Sequence, residues 1–157
     1  MAKHNRLKAV AKKQAENTDE KNVSLKLREA ALLSLSDGTN NDTGFVNLKY
    51  YRFEHQCLSS WTRDELRALS AFCRKLTQTS WTNIYKTAGA PGDKQGLGYT
   101  VHKSKSVLPT NPDLENFSPD LTWFELRVTS EARVHGFRCK SAFFLVYLDR
   151  QHEVYPG

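Results

Sequence analysis

The sequence lacks several features that would assign a protein class directly. Its three cysteines are an odd number without a CxxC pair, which fits a reducing compartment better than a disulfide framework. The longest apolar run, residues 142–148, has seven residues, whereas a membrane-spanning helix needs about 20. No apolar stretch follows the first basic residues, so we expect no signal peptide. These absences predict a cytoplasmic protein that makes no use of a membrane.

The motifs of several common enzyme classes are also missing. There is no GxSxG, HExxH or Walker pattern, and neither His135 nor His152 has a cysteine or histidine at a familiar metal-ligand spacing. Residues 96–98, Gly-Leu-Gly, lack the preceding strand and following helix that a dinucleotide site needs. We therefore expect no metal and no cofactor.

Positive charge is concentrated near the start of the chain. The net charge is +6, and residues 1–30 carry eight Lys/Arg and four Asp/Glu, which gives +4 of that total. Residues 1–44 are predicted to form a basic N-terminal segment, partly helical over residues 23–36 and otherwise disordered or loop. The segment has the charge to contact nucleic-acid phosphates or an acidic protein. The main domain is predicted over residues 45–157.

The first half of that domain reads as one strand followed by two helices. Alternation of apolar residues predicts a strand over residues 45–53. Thr62 and Glu65 form a capping box, and the apolar stripe that follows predicts an amphipathic helix. Residues 79–80, Thr-Ser, cap a shorter second helix. A short strand is predicted near residues 99–103, before a connection that contains three prolines.

Three further strands are predicted over residues 122–128, 132–138 and 142–148. The third is apolar throughout, which indicates a strand inside a sheet. With the turn centred on Lys140, we expect His135 to lie opposite Leu145. The order of elements predicts an α+β fold in which a small antiparallel sheet carries two helices on one face.

Polar side chains with catalytic chemistry gather around these strands. Strand alternation puts Arg133 and His135 on one face, and a polar run follows the apolar strand. Histidine titrates near neutral pH and serves as acid or base, while arginine binds phosphate through two hydrogen bonds. Such a group suits metal-free RNA cleavage, provided that the chain after the third strand folds back over the sheet.

Three segments resemble the C-terminal half of the RelE/ParE-type toxins of bacterial toxin–antitoxin modules. They are Phe124–Val128, Arg133–Arg138 and Ala142–Asp149, followed by His152. The resemblance implies a small antiparallel sheet with two helices, an mRNA interferase acting on RNA or at the ribosome, or a gyrase poison, and an antitoxin partner. By position, Arg127 and Arg133 look like the family's phosphate-binding arginines, and His152 is similar to its C-terminal catalytic residue.

The sequence thus predicts a toxin-like, metal-independent endoribonuclease of a toxin–antitoxin or phage-defence system. Two alternatives stay open: a non-catalytic module that binds nucleic acid or protein, and an accessory protein whose sheet docks a partner. The predicted catalytic residues are His135, His152 and Glu153, and the predicted phosphate- or RNA-binding residues are Arg127, Arg133, Arg150 and Tyr155.

Overall fold

A computed structural model describes residues 38–88, 96–112, 115 and 117–155 of the chain. The predicted basic arm and the helix predicted over residues 23–36 lie outside these ranges. Within them, five strands and two α-helices form one α+β arrangement, which confirms the predicted fold class. None of the helices in the described ranges is long and apolar enough to cross a lipid bilayer.

The two helices begin where the sequence predicts. Helix α1, Arg63–Leu76, starts with the capping box: Glu65 N–H donates to the Thr62 hydroxyl at 3.3 Å, and Thr62 N–H donates to the Glu65 carboxylate at 2.6 Å. These two bonds satisfy backbone donors that have no partner within the helix. Helix α2, Trp81–Tyr85, has Ser80 as its N-cap.

The sheet is mixed rather than purely antiparallel. Its strands are β1 (Phe45–Asn47), β2 (Thr100–Val101), β3 (Trp123–Arg127), β4 (Arg133–Cys139) and β5 (Ala142–Asp149), and they lie side by side in the order β1-β5-β4-β3-β2. Strand β1 pairs in parallel with β5. Parallel pairing needs a long connection between the two strands, and the chain between β1 and β5 provides it. The other pairs are antiparallel. The apolar strand β5 is central, as predicted, whereas β1 is shorter than predicted.

The register between β4 and β5 differs from our expectation. The turn consists of Lys140 and Ser141, and the pairing shifts between His135 and Gly136, so that His135 lies opposite Tyr147 and not Leu145. A Cβ atom added at Gly136 would lie only 1.9 Å from the carbonyl oxygen of Phe144, so the close strand approach here needs glycine. This irregularity moves the polar residues of β4 towards the end of β5.

The two faces of the sheet are covered by different parts of the chain. The helix-covered face packs against α1 and α2, and the buried guanidinium of Arg138 lies there over the rings of Trp81 and Tyr85. Its apolar side chains are Phe124, Leu126, Val134, Phe143, Leu145 and Leu148. The opposite face, called here the tail face, is covered by loops and by residues 150–155. One half of the tail face is apolar, with Trp123, Phe137 and Phe144 at its centre, and the other half is polar.

Candidate functional site

The polar half of the tail face forms a buried group of ionisable side chains, called here the polar cluster. Strand alternation places them together: Glu125 lies opposite His135 in β3 and β4, and Arg133 lies opposite Asp149 in β4 and β5. His102 enters from the end of β2, where its N–H donates to the carbonyl of Trp123. The members of the polar cluster are His102, Glu125, Arg133, His135, Asp149, His152 and Tyr155.

A line of hydrogen bonds crosses the base of the cluster. His135 Nε2 lies 3.1 Å from Asp149 Oδ2, and His135 Nδ1 lies 2.9 Å from His102 Nε2. The Asp149 carboxylate accepts, so His135 carries its proton on Nε2 and presents a lone pair at Nδ1. His102 then donates from Nε2. Because both imidazoles and the carboxylate are buried, this line holds the rings in one orientation.

The chain after β5 folds back over the cluster, which is the condition stated above for an RNA-cleaving site. The Asp149 carboxylate accepts the backbone N–H groups of Glu153 and Val154 at 2.8 and 2.9 Å. His152 adopts the left-handed backbone region, with φ of 57°, which reverses the chain direction there. The ring of Tyr155 then packs edge-on against His102, with centroids 4.8 Å apart. The Asp149 carboxylate therefore fixes both the end of β5 and the segment of residues 150–155 that covers the cluster.

Glu125 is the point on which the cluster converges. Its Oε1 lies 3.3 Å from His152 Nε2 and 3.7 Å from Arg133 Nε. Neither its Oε2 nor His152 Nε2, both of them buried, has a hydrogen-bond partner among the described residues. Burial raises the pKa of Glu125 to about 7, with Arg133 opposing the shift and Asp149 adding to it. A buried carboxyl group whose pKa lies near neutrality can give or take a proton at physiological pH.

The other members of the cluster are held in defined protonation states. Burial lowers the pKa of His102 to about 4, and burial also lowers the pKa of His135 and of His152. Burial alone would raise the pKa of Asp149, but hydrogen bonds from His135 and two backbone N–H groups lower it to about 2. The cluster thus separates the pKa values of its two carboxyl groups, with Asp149 ionised at neutral pH and Glu125 titrating near neutrality. This pattern is found in acid–base sites.

The structure brings some of the sequence-predicted residues together. His135 and His152 both flank Glu125, at 3.8 and 3.3 Å. His135 is fully buried, whereas the side chain of His152 is 26 % exposed, so His152 is the histidine that a large substrate can reach. Tyr155 lies in the cluster through its contact with His102.

The predicted arginines have different positions. Arg133 uses its terminal nitrogens to bind the carbonyls of residues 129, 130 and 132, so it braces the β3–β4 turn beside Glu125. Arg127 lies opposite Arg133 in register, and its Nη1 has no hydrogen-bond partner among the described residues. Arg150 binds Glu65 of α1 at 2.6 Å, which directs it to the helix and not to the cluster. The Glu153 side chain is exposed, and its contact with the cluster is through its backbone N–H.

Sequence reasoning missed His102, Glu125 and Asp149 as site residues. Alternation along β3 already places Glu125 on the face of Arg127, which was the available signal. His102 offered no such signal, because a proline-containing connection separates its strand from β3. The three residues His102, Glu125 and His135 also place ligand atoms within 4.8 Å of one another, a set that sequence spacing did not reveal.

No protein-family model matches the chain, and no curated protein or solved structure is significantly similar to it. The polar cluster is therefore the main evidence on function.

Proposed function

We propose that the protein is a cytoplasmic, toxin-like endoribonuclease that cleaves RNA without a metal ion. The observation that supports this most is the pairing of the partly exposed His152 with the buried Glu125 at 3.3 Å. His152 Nε2 is buried beside the carboxylate, so proton transfer to a bound substrate would use the other ring nitrogen, Nδ1, of this partly exposed side chain. The resemblance to RelE/ParE-type toxins favours RNA as that substrate and an antitoxin as a partner.

The proposed reaction is a transesterification within the RNA strand. His152 takes the proton of a 2′-hydroxyl, whose oxygen attacks the adjacent phosphorus and forms a 2′,3′-cyclic phosphate. The bond from phosphorus to the 5′-oxygen breaks, and protonated His152 returns the proton to that oxygen. Atoms and charge balance without an added nucleophile. Glu125 orients the imidazole and stabilises its charged form.

Arg127 is the proposed phosphate ligand. It follows Glu125 by two residues on β3, so both side chains leave the same face of the sheet. Its Nη1 is buried and has no hydrogen-bond partner among the described residues, so a phosphate oxygen would become its partner once the guanidinium turns outwards. The bidentate geometry of a guanidinium fits the two non-bridging oxygens on which charge develops during the reaction.

His135 and Arg133 are assigned supporting roles. His135 has no exposed surface and is held between His102 and Asp149, so RNA cannot contact it without a rearrangement. Arg133 Nε lies 3.7 Å from Glu125, and its terminal nitrogens donate hydrogen bonds to carbonyls of the β3–β4 turn. Both are positioning residues for Glu125.

The experiment measures cleavage of a labelled RNA by purified protein in the presence of a metal chelator. We expect His152→Ala to lower the rate roughly 100- to 10,000-fold, the usual contribution of a general acid–base residue. His55→Ala is the matched control, because His55 is exposed and lies outside the cluster. Circular dichroism and thermal unfolding establish that both variants fold.

Unchanged cleavage in His152→Ala would contradict the assignment of His152. Cleavage that requires an added metal would contradict the metal-independent reaction. RNA binding without any cleavage by the wild-type protein would favour the non-catalytic binding module. Expression of wild type and His152→Ala in bacteria, with growth and RNA integrity followed, tests whether the activity is toxic.

A further inference from the structure

We propose that His102, His135 and Glu125 form a binding site for a zinc-class transition-metal ion. The inference rests on the convergence of two ring nitrogens and one carboxylate oxygen from three neighbouring parts of the sheet, all within 4.8 Å of one another. All three residues are buried, with at most 7 % of each exposed. The groups assigned to contact RNA, His152 and Arg127, are not among the ligands, whereas Glu125 serves both proposals.

The distances between the ligand atoms are close to those of a tetrahedral site. Two ligands bound at about 2.0–2.1 Å to a tetrahedral zinc ion lie roughly 3.3–3.4 Å apart. His102 Nε2 and His135 Nδ1 are 2.9 Å apart, and His135 Nδ1 and Glu125 Oε2 are 3.8 Å apart. Shifts of about half an ångström would bring these two distances to the tetrahedral spacing, and the ligand atoms of the third pair, His102 and Glu125, lie within 4.8 Å of each other.

The protonation of His135 is already set for a metal. Its Nε2 donates to Asp149 at 3.1 Å, which leaves the lone pair of Nδ1 facing His102 and Glu125. Metal-bound histidines usually donate their other ring N–H to a carboxylate or carbonyl in this way, which fixes the ring and increases its basicity. Asp149 is itself fixed by the N–H groups of Glu153 and Val154, so His135 is well supported. His102 would bind the ion after its proton moves from Nε2 to Nδ1, which has no hydrogen-bond partner among the described residues.

A second observation is the unpartnered oxygen of Glu125. Its Oε2 is buried in a side chain that is 4 % exposed, and no described residue forms a hydrogen bond with it. A buried polar atom left unpaired costs free energy, about 1–3 kcal/mol in mutational data. A cation bound beside His135 would coordinate this oxygen. The other oxygen, Oε1, would keep its place beside His152.

The chemistry of the ligands selects the class of metal. Imidazole nitrogens suit zinc, copper, nickel and iron, whereas magnesium and calcium prefer sites made of oxygen. Two histidines and one glutamate are a donor set that zinc accepts with a fourth position left for water or substrate. We therefore expect Zn²⁺ and Co²⁺ to bind and Mg²⁺ not to bind at this position.

Metal binding is tested with untagged, chelator-treated full-length protein and no RNA. Zn²⁺ is titrated by calorimetry, and Co²⁺ is titrated by visible absorption, which reports the coordination number. We expect one ion per chain, with Co²⁺ bands typical of four-coordination. Glu125→Gln and His102→Gln should each weaken binding at least tenfold, and Asp149→Asn should weaken it about 10- to 100-fold through its effect on His135. His55→Gln, at an exposed histidine outside the cluster, should bind like wild type.

Absence of one-to-one binding by folded wild-type protein would overturn the proposal. So would equal losses in Glu125→Gln and His55→Gln, since the ions would then bind elsewhere. Glu125→Gln keeps the size and shape of the side chain, and its fold is checked by circular dichroism. If His102→Gln does not fold, Glu125→Gln and its Co²⁺ spectrum decide the outcome alone. Glu125 belongs to both proposals, so the variants that separate them are His152→Ala, which tests RNA cleavage, and His102→Gln, which tests metal binding.

Discussion

The two faces of the same sheet are buried to a similar degree but have opposite chemistry. On the helix-covered face, Phe124, Leu126 and Val134 are each at most 1 % exposed and contact other apolar groups. One residue along each strand, on the tail face, Glu125 and His135 are 3 % and 0 % exposed. Burial of apolar area stabilises the fold by about 25 cal/mol per Å², whereas burial of an ionisable group costs free energy unless it is paired.

The helix-covered face therefore provides the stability of the fold, and the fold in turn holds the polar cluster in place on the tail face. The pairing on the tail face is incomplete, because Glu125 Oε2, His102 Nδ1 and His152 Nε2 have no hydrogen-bond partners within the part of the chain that the structure describes. Buried polar atoms without partners are rare in folded proteins, and they concentrate where a group is needed for chemistry. We therefore expect changes on the helix-covered face to reduce stability most, and changes in the polar cluster to reduce activity most.

The largest stability effect is expected from Phe143→Ala on the helix-covered face. The side chain is fully buried and packs against Phe124 with ring centroids 5.3 Å apart. Removal of a buried phenylalanine leaves a cavity and costs about 3–5 kcal/mol. Urea denaturation followed by circular dichroism measures the change. Leu66→Ala is the control, because Leu66 is 38 % exposed on α1 and should cost far less. Equal losses in the two variants would contradict the core assignment.

Asp149→Asn tests the tail face. The carboxylate accepts three hydrogen bonds, from His135 and from the N–H groups of Glu153 and Val154. An amide cannot accept all three, so at least one buried donor loses its partner, at a cost of about 1–3 kcal/mol. We expect residues 150–155 to detach from the sheet, measured as faster proteolysis or amide exchange in that segment. The exposed Glu131 provides the control variant, Glu131→Gln. An unchanged tail would show that Asp149 does not hold it.

Gly136→Ala tests whether the register shift positions the cluster. A Cβ atom at this position meets the backbone carbonyl of Phe144, which cannot move without separating β4 from β5. Crowding of this kind typically costs about 1–3 kcal/mol. We expect RNA cleavage to fall as well, because the shift places His135 opposite Tyr147. Thermal unfolding and the cleavage assay measure the two effects. Wild-type values for both would show that the strands tolerate a side chain here.

Local patterns predicted the fold well, because they depend on neighbouring residues. The Thr62–Glu65 capping box gave the start of α1, and the apolar run of β5 indicated a central strand. The parallel pairing of β1 and the register shift at Gly136 were not predicted, since both depend on contacts between distant segments. The same limit applied to the site: His152 was predicted from its position after β5, whereas His102 joins the cluster only through strand pairing.

Thr62→Ala is expected to give the smallest effect, about 1 kcal/mol, because it removes an N-cap hydroxyl. Ser70→Ala, on the exposed surface of α1, is the matched control and should be close to neutral. Chemical denaturation measures both variants.

Thr62→Ala also tests whether the helix-covered face affects the tail face. Glu65 of the capping box binds Arg150, the first residue after β5, at 2.6 Å. Arg150 and the Thr62 N–H lower the pKa of Glu65, so their stabilising effect is present above the pKa of Glu65 in the unfolded chain. It is lost as the pH falls through the lower pKa of the folded state. The Thr62 hydroxyl also lowers the pKa of Glu65, so the difference between Thr62→Ala and wild type should narrow in acid. If Thr62→Ala lowers RNA cleavage as well as stability, the helix-covered face positions the tail through Arg150. If cleavage is unchanged, Asp149 alone holds the tail over the polar cluster.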